Sequence, residues 1–114
     1  MKKISNGKLL KIFIKESDKF CHKSLHSVII KKIKESNLAA AVVFKGIEGY
    51  EFDNIISSSK ILRLSEDLPV LIEVMGTSNK ILKIIDILEE FNENDIIMIL
   101  QDVEIIKFRK SKDN

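Results

Sequence analysis

The sequence predicts an α+β fold in which one antiparallel sheet carries two helices on the same face. Three observations predict it. Strand-like and helix-like periodicities alternate along the chain, with strands first and last. Hydrophobic residues make up 45% of the 114 residues, which suffices for one core. One long polar segment divides the pattern into two similar β-α-β halves.

The first half contains a strand, a helix and a second strand. Leu9 to Lys15 alternates in the manner of a strand. Ser24 is a candidate N-cap for a helix over Leu25 to Ser36, which has helical spacing of its apolar residues. Asn37 can end that helix in a left-handed conformation. The β-branched, apolar run from Ala39 to Lys45 predicts the second strand.

The second half repeats this order. Val70 to Met75 predicts the third strand, which Pro69 can open because proline is tolerated at the first residue of a strand. Gly76 ends it, and a second helix follows, with an apolar face formed by Ile81, Ile84, Ile85 and Leu88. Two short strands complete the pattern, Ile96 to Leu100 and Val103 to Phe108.

The order of elements defines the expected topology. Right-handed crossovers and two helices on one face give a ferredoxin-like βαββαβ sandwich with an extra short C-terminal strand. Residues 1–114 form a single domain with a core over 8–109, and no internal repeat of solenoid length is present.

The strands also predict self-association. Two helices cover only one face of the sheet, and a half-solvated antiparallel sheet alternates between apolar and polar residues. The runs from Val70 to Ile72 and from Ile96 to Leu100 place apolar side chains on both faces of the sheet. We therefore expect another subunit to cover the second face.

Composition excludes several function classes. Net charge is only +2, from 19 basic and 17 acidic residues, so no nucleic-acid partner is expected. No apolar run is long enough for membrane insertion, and the N-terminal residues lack the apolar stretch of a signal peptide. The lone Cys21 cannot form an internal disulfide. We expect a cytoplasmic protein, and because no nucleophile–base pair is evident, not an enzyme.

The candidate binding motif lies at the end of the second strand. Lys45 precedes Gly46, and Gly49 follows three residues later. Glycine permits positive φ and close approach of a ligand to the main chain, so this strand end is a candidate phosphate-binding edge. The structural alternative is a bulge followed by a turn.

The polar loop 51–66 comes next, and loops of this length are commonly functional. Arg63 within it either reaches a phosphate or forms a structural ion pair.

Two further groups have two interpretations each. Lys107 and Arg109 alternate on the last strand. They either supply positive charge to a phosphate bound at a neighbouring subunit or protect an exposed edge strand. Cys21, His22 and His26 are the soft metal-ligand candidates. The two histidines, four residues apart at a helix start, are expected to share a face that clamps a metal, or to be merely solvated, because no third ligand is evident.

Four segments in order resemble the PII-like proteins of the GlnB-like superfamily, and most closely a small uncharacterised PII-like family. The resemblance covers residues 8–109. The matching segments are Leu10 to Asp18, Lys45 to Tyr50, Ser59 to Val70 and Asp102 to Lys107.

The resemblance implies a homotrimeric signalling and regulatory protein. Its sheets face inward, and an adenine nucleotide binds in clefts between subunits. Residues 51–66 lie where PII proteins carry the T-loop, which acts on a partner protein such as a transporter or an enzyme. The implied nucleotide-binding residues are Lys45, Gly46, Glu48, Gly49, Arg63, Lys107 and Arg109.

The chain departs from the PII pattern in one loop. PII proteins grip phosphates with a glycine- and lysine-rich segment, whereas Phe91 to Asp95 has neither residue type and carries two carboxylates. Because these repel a triphosphate, ADP or AMP is favoured over ATP. The alternative function is a divalent-cation-handling or scaffold trimer that resembles CutA and binds no nucleotide.

Overall fold

The computed structural model describes residues 1–47, 49 and 67–110. These ranges contain six strands and two α-helices. The strands are β1 (Lys2–Lys15), β2 (Lys19–Phe20), β3 (Lys23–Ser24), β4 (Ala40–Lys45), β5 (Pro69–Gly76) and β6 (Ile97–Phe108). The helices are α1 (Leu25–Ser36) and α2 (Ser78–Leu88), and the 3₁₀ helix Glu89–Phe91 follows α2 directly.

Four strands form the main sheet in the order β4-β5-β1-β6, and every neighbouring pair is antiparallel. Strands β1 and β4, which α1 connects, are separated by β5. This is the predicted ferredoxin-like arrangement, so the fold prediction is confirmed. Strands β2 and β3 form a separate hairpin before α1, which the sequence did not predict.

The core lies between one face of the sheet and the two helices. Alternate residues of β1 (Leu10, Ile12 and Ile14) are at most 1% exposed. Isoleucines and leucines of both helices pack against them, as the 3.6-residue spacing predicts. No polar or charged residue is buried among those that the structure describes, so the core depends on apolar packing alone. The helical contribution comes from Leu25, Ile29, Ile33, Ile81, Ile84 and Leu88.

The opposite face of the sheet presents mainly apolar side chains, and no described residue covers it. Cross-strand register aligns its side chains in rows, because directly paired residues point to the same face. One row runs Phe44, Leu71, Phe13, Ile97, and the next runs Val42, Glu73, Lys11, Ile99. Val42 is 54% exposed and Phe44 is 48% exposed. We call this surface the open face.

Strands β1 and β6 continue beyond the four-stranded sheet as a two-stranded ribbon. Pairing of β1 with β5 stops at Lys8, whereas pairing with β6 continues to Lys2 opposite Phe108. The extra six residues span about 20 Å. Ile4, Ile106 and Phe108 are exposed on this ribbon.

The structure corrects the last strand. The sequence predicted two short strands separated at Gln101 and Asp102, with the second as an extra C-terminal strand, but β6 is continuous. Gln101 and Asp102 pair with Leu9 and Lys8 of β1, and the Lys8 ammonium lies 2.5 Å from Asp102 Oδ1. The polar pair is therefore an exposed stretch of an edge strand. The same pairing extends β1 to Lys2, seven residues before its predicted start at Leu9.

Both ends of α1 match the prediction. Asn37 has φ 57° and ψ 29°, and its backbone N–H donates to the Lys34 carbonyl oxygen at 3.1 Å. Asparagine tolerates this left-handed conformation better than most side chains. Ser24 lies at the N-cap, but its side chain makes no capping bond, and its hydroxyl oxygen is shielded from solvent without a hydrogen-bond partner.

We predict that Gly7→Ala destabilises the protein, because Gly7 sits where the ribbon leaves the sheet. A Cβ there would lie 2.5 Å from the Gly76 carbonyl oxygen and 2.6 Å from Ile105 Cδ1. Such overpacking costs about 1–3 kcal/mol. Thermal unfolding should show a clear drop in melting temperature, while the control Ser5→Ala in the same strand should melt close to wild type. A wild-type melting temperature for Gly7→Ala would contradict this close approach.

Candidate functional site at the ends of β1, β4 and β5

Three chain segments meet at one end of the sheet. The turn after β1 approaches the end of β4 and the start of β5. The Glu16 N–H donates to the Leu68 carbonyl oxygen at 2.8 Å, and the Gly46 N–H donates to the Pro69 carbonyl oxygen at 2.7 Å. Main-chain bonds therefore fix both the chain leaving β4 and the chain entering β5. We call this meeting point the junction.

Side chains of the turn add to the junction. Asp18 Oδ2 accepts a hydrogen bond from the Lys15 N–H at 2.9 Å, which closes the turn. The Ser17 hydroxyl donates to Asp67 Oδ1 at 2.5 Å, which ties the turn to the segment before β5. These two bonds restrain the turn against both the end of β1 and the segment that enters β5.

Lys45 is the charged residue among the predicted binding residues that the described structure places at the junction. Its ammonium lies 2.5 Å from Glu16 Oε2, with the Lys45 side chain 55% exposed and that of Glu16 22% exposed. Partly exposed pairs of this kind contribute about 0–1 kcal/mol to stability. The cation therefore faces solvent but already has a carboxylate partner.

The glycines at the junction leave room for a neighbouring proline ring, and their contact with a ligand stays a prediction. Neither Gly46 nor Gly49 has positive φ. A Cβ on Gly46 would lie 2.7 Å from Pro69 Cγ, and one on Gly49 would lie 3.1 Å from the same atom. The proline ring thus occupies the space that the missing side chains leave. A larger residue at position 46 would displace Pro69 and disturb the junction itself.

Two further predicted nucleotide-binding residues, Lys107 and Arg109, lie far from Lys45 within one chain. Lys107 pairs with Lys3, whereas Lys45 pairs with Val70, which pairs with Ile14. Lys3 and Ile14 are about 36 Å apart along β1 at roughly 3.3 Å per residue. Arg109 lies beyond Lys107, where its N–H donates to the Met1 carbonyl oxygen at 2.8 Å. Glu48 and Arg63 lie outside the described residues, as does the loop 51–66.

The metal candidates do not share a helix face as expected. Cys21 and His22 form the two-residue connection between β2 and β3, with φ of 50° and 69°. Left-handed conformations at both positions are those of a type I′ turn. His26 lies on α1, which begins only at Leu25. In the part of the chain that is described, no group of three or more His, Cys, Asp or Glu residues could hold a metal ion.

The acidic segment after α2 is tied to the β2–β3 hairpin. Phe91 is buried, and its ring meets the Phe20 ring edge-on with centroids 4.8 Å apart. Asn94 Nδ2 donates to the Lys19 carbonyl oxygen at 3.2 Å. Glu93 and Asp95 are exposed. The segment lies at the same end of the sheet as the junction, because β6 begins opposite Phe13.

A cavity of about 390 Å³ lies between α1 and the β2–β3 hairpin, apart from the junction. Three lysines and two glutamates line it, which leaves one more positive than negative charge: Lys23, Lys31, Lys32, Glu35 and Glu90. Lys32 Nζ lies 2.6 Å from Glu90 Oε1. A hydrogen bond with this carboxylate raises the pKa of Lys32. This pair holds α1 to the 3₁₀ helix, so we assign it a structural role.

Sequence reasoning missed two residues of the site, Glu16 and Asp67. Glu16 meets a lysine 29 positions later in the chain, and Asp67 meets Ser17. Such contacts depend on strand order, which local patterns do not encode. The available signal was only that each carboxylate stands next to a strand end.

Solved structures with the same fold support the PII-like resemblance. A PII-like signaling protein from Thermus thermophilus aligns with a TM-score of 0.61 at 16% identity, covering 90% of this chain and 91% of that one. The apo form of CPII, a nitrogen regulatory PII-like protein from Thiomonas intermedia, aligns at 0.61 and 11% identity, covering 94% and 99%. CPII bound to ADP, AMP and acetate aligns at 0.59 and 10% identity, covering 90% and 91%. At these identities the likeness concerns the fold.

None of the helices in the described ranges is long and apolar enough to cross a membrane.

Sequence relatives define the family. A UPF0166 protein of Methanocaldococcus jannaschii is 34% identical over 101 residues, which cover 89% of this chain and 93% of the relative. A UPF0166 protein of Aquifex aeolicus is 31% identical over 104 residues, covering 91% and 97%. The family model DUF190, described as "Uncharacterized ACR, COG1993", matches residues 7–105. The chain therefore belongs to the DUF190 (UPF0166) family of PII-like fold.

Proposed function

We propose that this protein is a non-catalytic, PII-like regulatory protein that binds an adenine nucleotide at the junction. The observation that carries the proposal is the position of Lys45. Its ammonium stands partly exposed at a strand end, where main-chain bonds hold the neighbouring segments in place. A solved structure of the same fold, CPII, holds ADP and AMP. A preorganised cation is a suitable partner for a phosphate group.

The charges around the junction favour a nucleotide with few phosphates. Glu16, Asp18 and Asp67 lie there beside Lys15 and Lys45, so carboxylates outnumber ammonium groups among these residues. Coulomb repulsion between these carboxylates and a nucleotide grows with the negative charge of the nucleotide. Each additional phosphate group therefore makes binding less favourable. We propose ADP or AMP rather than ATP as the ligand.

We further propose that three copies assemble with their open faces inward. The open face presents two adjacent rows that consist mainly of apolar side chains. An apolar surface of this kind usually marks an interface. Within one chain, Lys107 and Arg109 lie too far from Lys45 to share a ligand with it. We propose that they contact the phosphate at the junction of a neighbouring copy.

The output of the protein is proposed to be a contact with a target protein, such as a transporter or an enzyme. The segment 51–66 is its proposed contact region. The segments that lead into and out of it, at Gly46 and Asp67, both belong to the junction. A ligand at the junction therefore touches the base of that region, which is where binding can bias its conformation.

We predict that Lys45→Met weakens ADP binding at least about tenfold, since hydrogen bonds to charged groups contribute roughly 1.5–3 kcal/mol. Isothermal titration calorimetry of both proteins measures this. The matched control is Lys31→Met, which removes an exposed lysine of α1. Equal ADP affinity for wild type and Lys45→Met would show that the phosphate binds elsewhere, and absence of binding to wild type by any adenine nucleotide would refute the proposed function.

We predict that Val42→Asp converts a trimer into monomers, because it places a carboxylate on the open face. Sedimentation velocity should show the wild type as one trimeric species and Val42→Asp at lower mass. The control is Leu82→Asp, which changes a 45%-exposed apolar residue of α2 instead. Monomeric wild type, or a trimer that survives Val42→Asp but not Leu82→Asp, would contradict the proposed interface.

A further inference from the structure

Lys45 has a carboxylate partner within the chain, because its ammonium lies 2.5 Å from Glu16 Oε2. We infer that Glu16 is an internal competitor for the Lys45 ammonium, so that an anionic ligand binds by displacing this carboxylate. The competition sets both the affinity of the site and its preference for ligands of low negative charge. The inference rests on the proposed function and concerns how that site is regulated.

The backbone of Glu16 is fixed, which makes its carboxylate an effective competitor. Its N–H is bonded to the Leu68 carbonyl oxygen, and bonds at Lys15 and Ser17 hold the residues on either side. Only the side chain is therefore free to move when a ligand arrives. A carboxylate delivered from a fixed backbone has a high local concentration at the ammonium, as any tethered ligand has.

The exposure of the two partners indicates the direction of exchange. The Glu16 side chain is 22% exposed and the Lys45 side chain is 55% exposed, so Lys45 is the more accessible partner of the pair. An incoming phosphate can contact Lys45 from solvent before the carboxylate leaves. Once it has done so, Glu16 is a like charge beside the phosphate, and the repulsion increases with the number of phosphate charges. The same carboxylate thus acts more strongly against ATP than against AMP.

A purely structural role for Glu16 makes a different prediction. If the pair served only to hold β4 against the turn after β1, then Glu16→Gln and Lys45→Met would lower stability alike, and neither would improve binding. A competitor gives opposite signs, because Lys45→Met removes the cation that binds phosphate whereas Glu16→Gln releases it. The direction of the change in affinity separates the two roles.

The test is calorimetric titration of wild type and Glu16→Gln with AMP, ADP and ATP at one low salt concentration. We expect Glu16→Gln to bind ADP about fivefold more tightly, which corresponds to the upper range for a partly exposed ion pair. The gain should be largest for ATP and smallest for AMP. The control Glu35→Gln removes the same charge from the C-terminal end of α1, away from the junction. It should leave the ADP affinity almost unchanged, because distant exposed charges are screened.

Glu16→Ala, which removes the carboxylate without adding an amide, should change affinity in the same direction, and melting curves of both variants confirm folding. Unchanged or weaker ADP binding by both variants, with normal binding by wild type, would overturn the inference and leave the proposed function standing. If neither wild type nor variants bind any of the three nucleotides, the proposed function fails and the competitor role falls with it.

Discussion

The pairing of β1 with two strands at once is the constraint on which the rest of the structure depends. β5 and β6 bond to opposite edges of β1, so β1 sets the register of most of the sheet. Its alternation sends Leu10, Ile12 and Ile14 into the core and leaves Phe13 on the open face. Its end also fixes the turn that carries Glu16. One strand therefore positions the core, the proposed interface and the candidate site.

Much of this architecture follows from local patterns. The period of the apolar residues predicted both helices, and the tolerance of Asn37 for left-handed backbone predicted the end of α1. The continuous β6 was not predictable, because Gln101 and Asp102 resemble a break until β1 is placed beside them. The β2–β3 hairpin was missed because its turn uses Cys21 and His22 at positive φ, where asparagine and glycine are usual.

The candidate site shows the same division. Lys45 could be nominated as a candidate from the sequence, because a basic residue before glycine at a strand end is a local signal. Its contact with Glu16 was not found, because it depends on which strands end side by side. The packing of Pro69 against Gly46 was not predictable for the same reason, because Pro69 belongs to the neighbouring strand. Lys107 and Arg109 lie at the other end of β1, which makes assembly a requirement of the proposed site rather than an addition to it.

The central claim is that an adenine nucleotide binds at the junction, and amide NMR of the assembled protein titrated with ADP tests it most directly. The account predicts saturable shifts centred on the amides of Glu16 and Gly46, which are bonded across the junction. Shifts that centre instead on Ser27 and Lys31, beside the cavity of α1, would contradict it. So would a spectrum that ADP leaves unchanged.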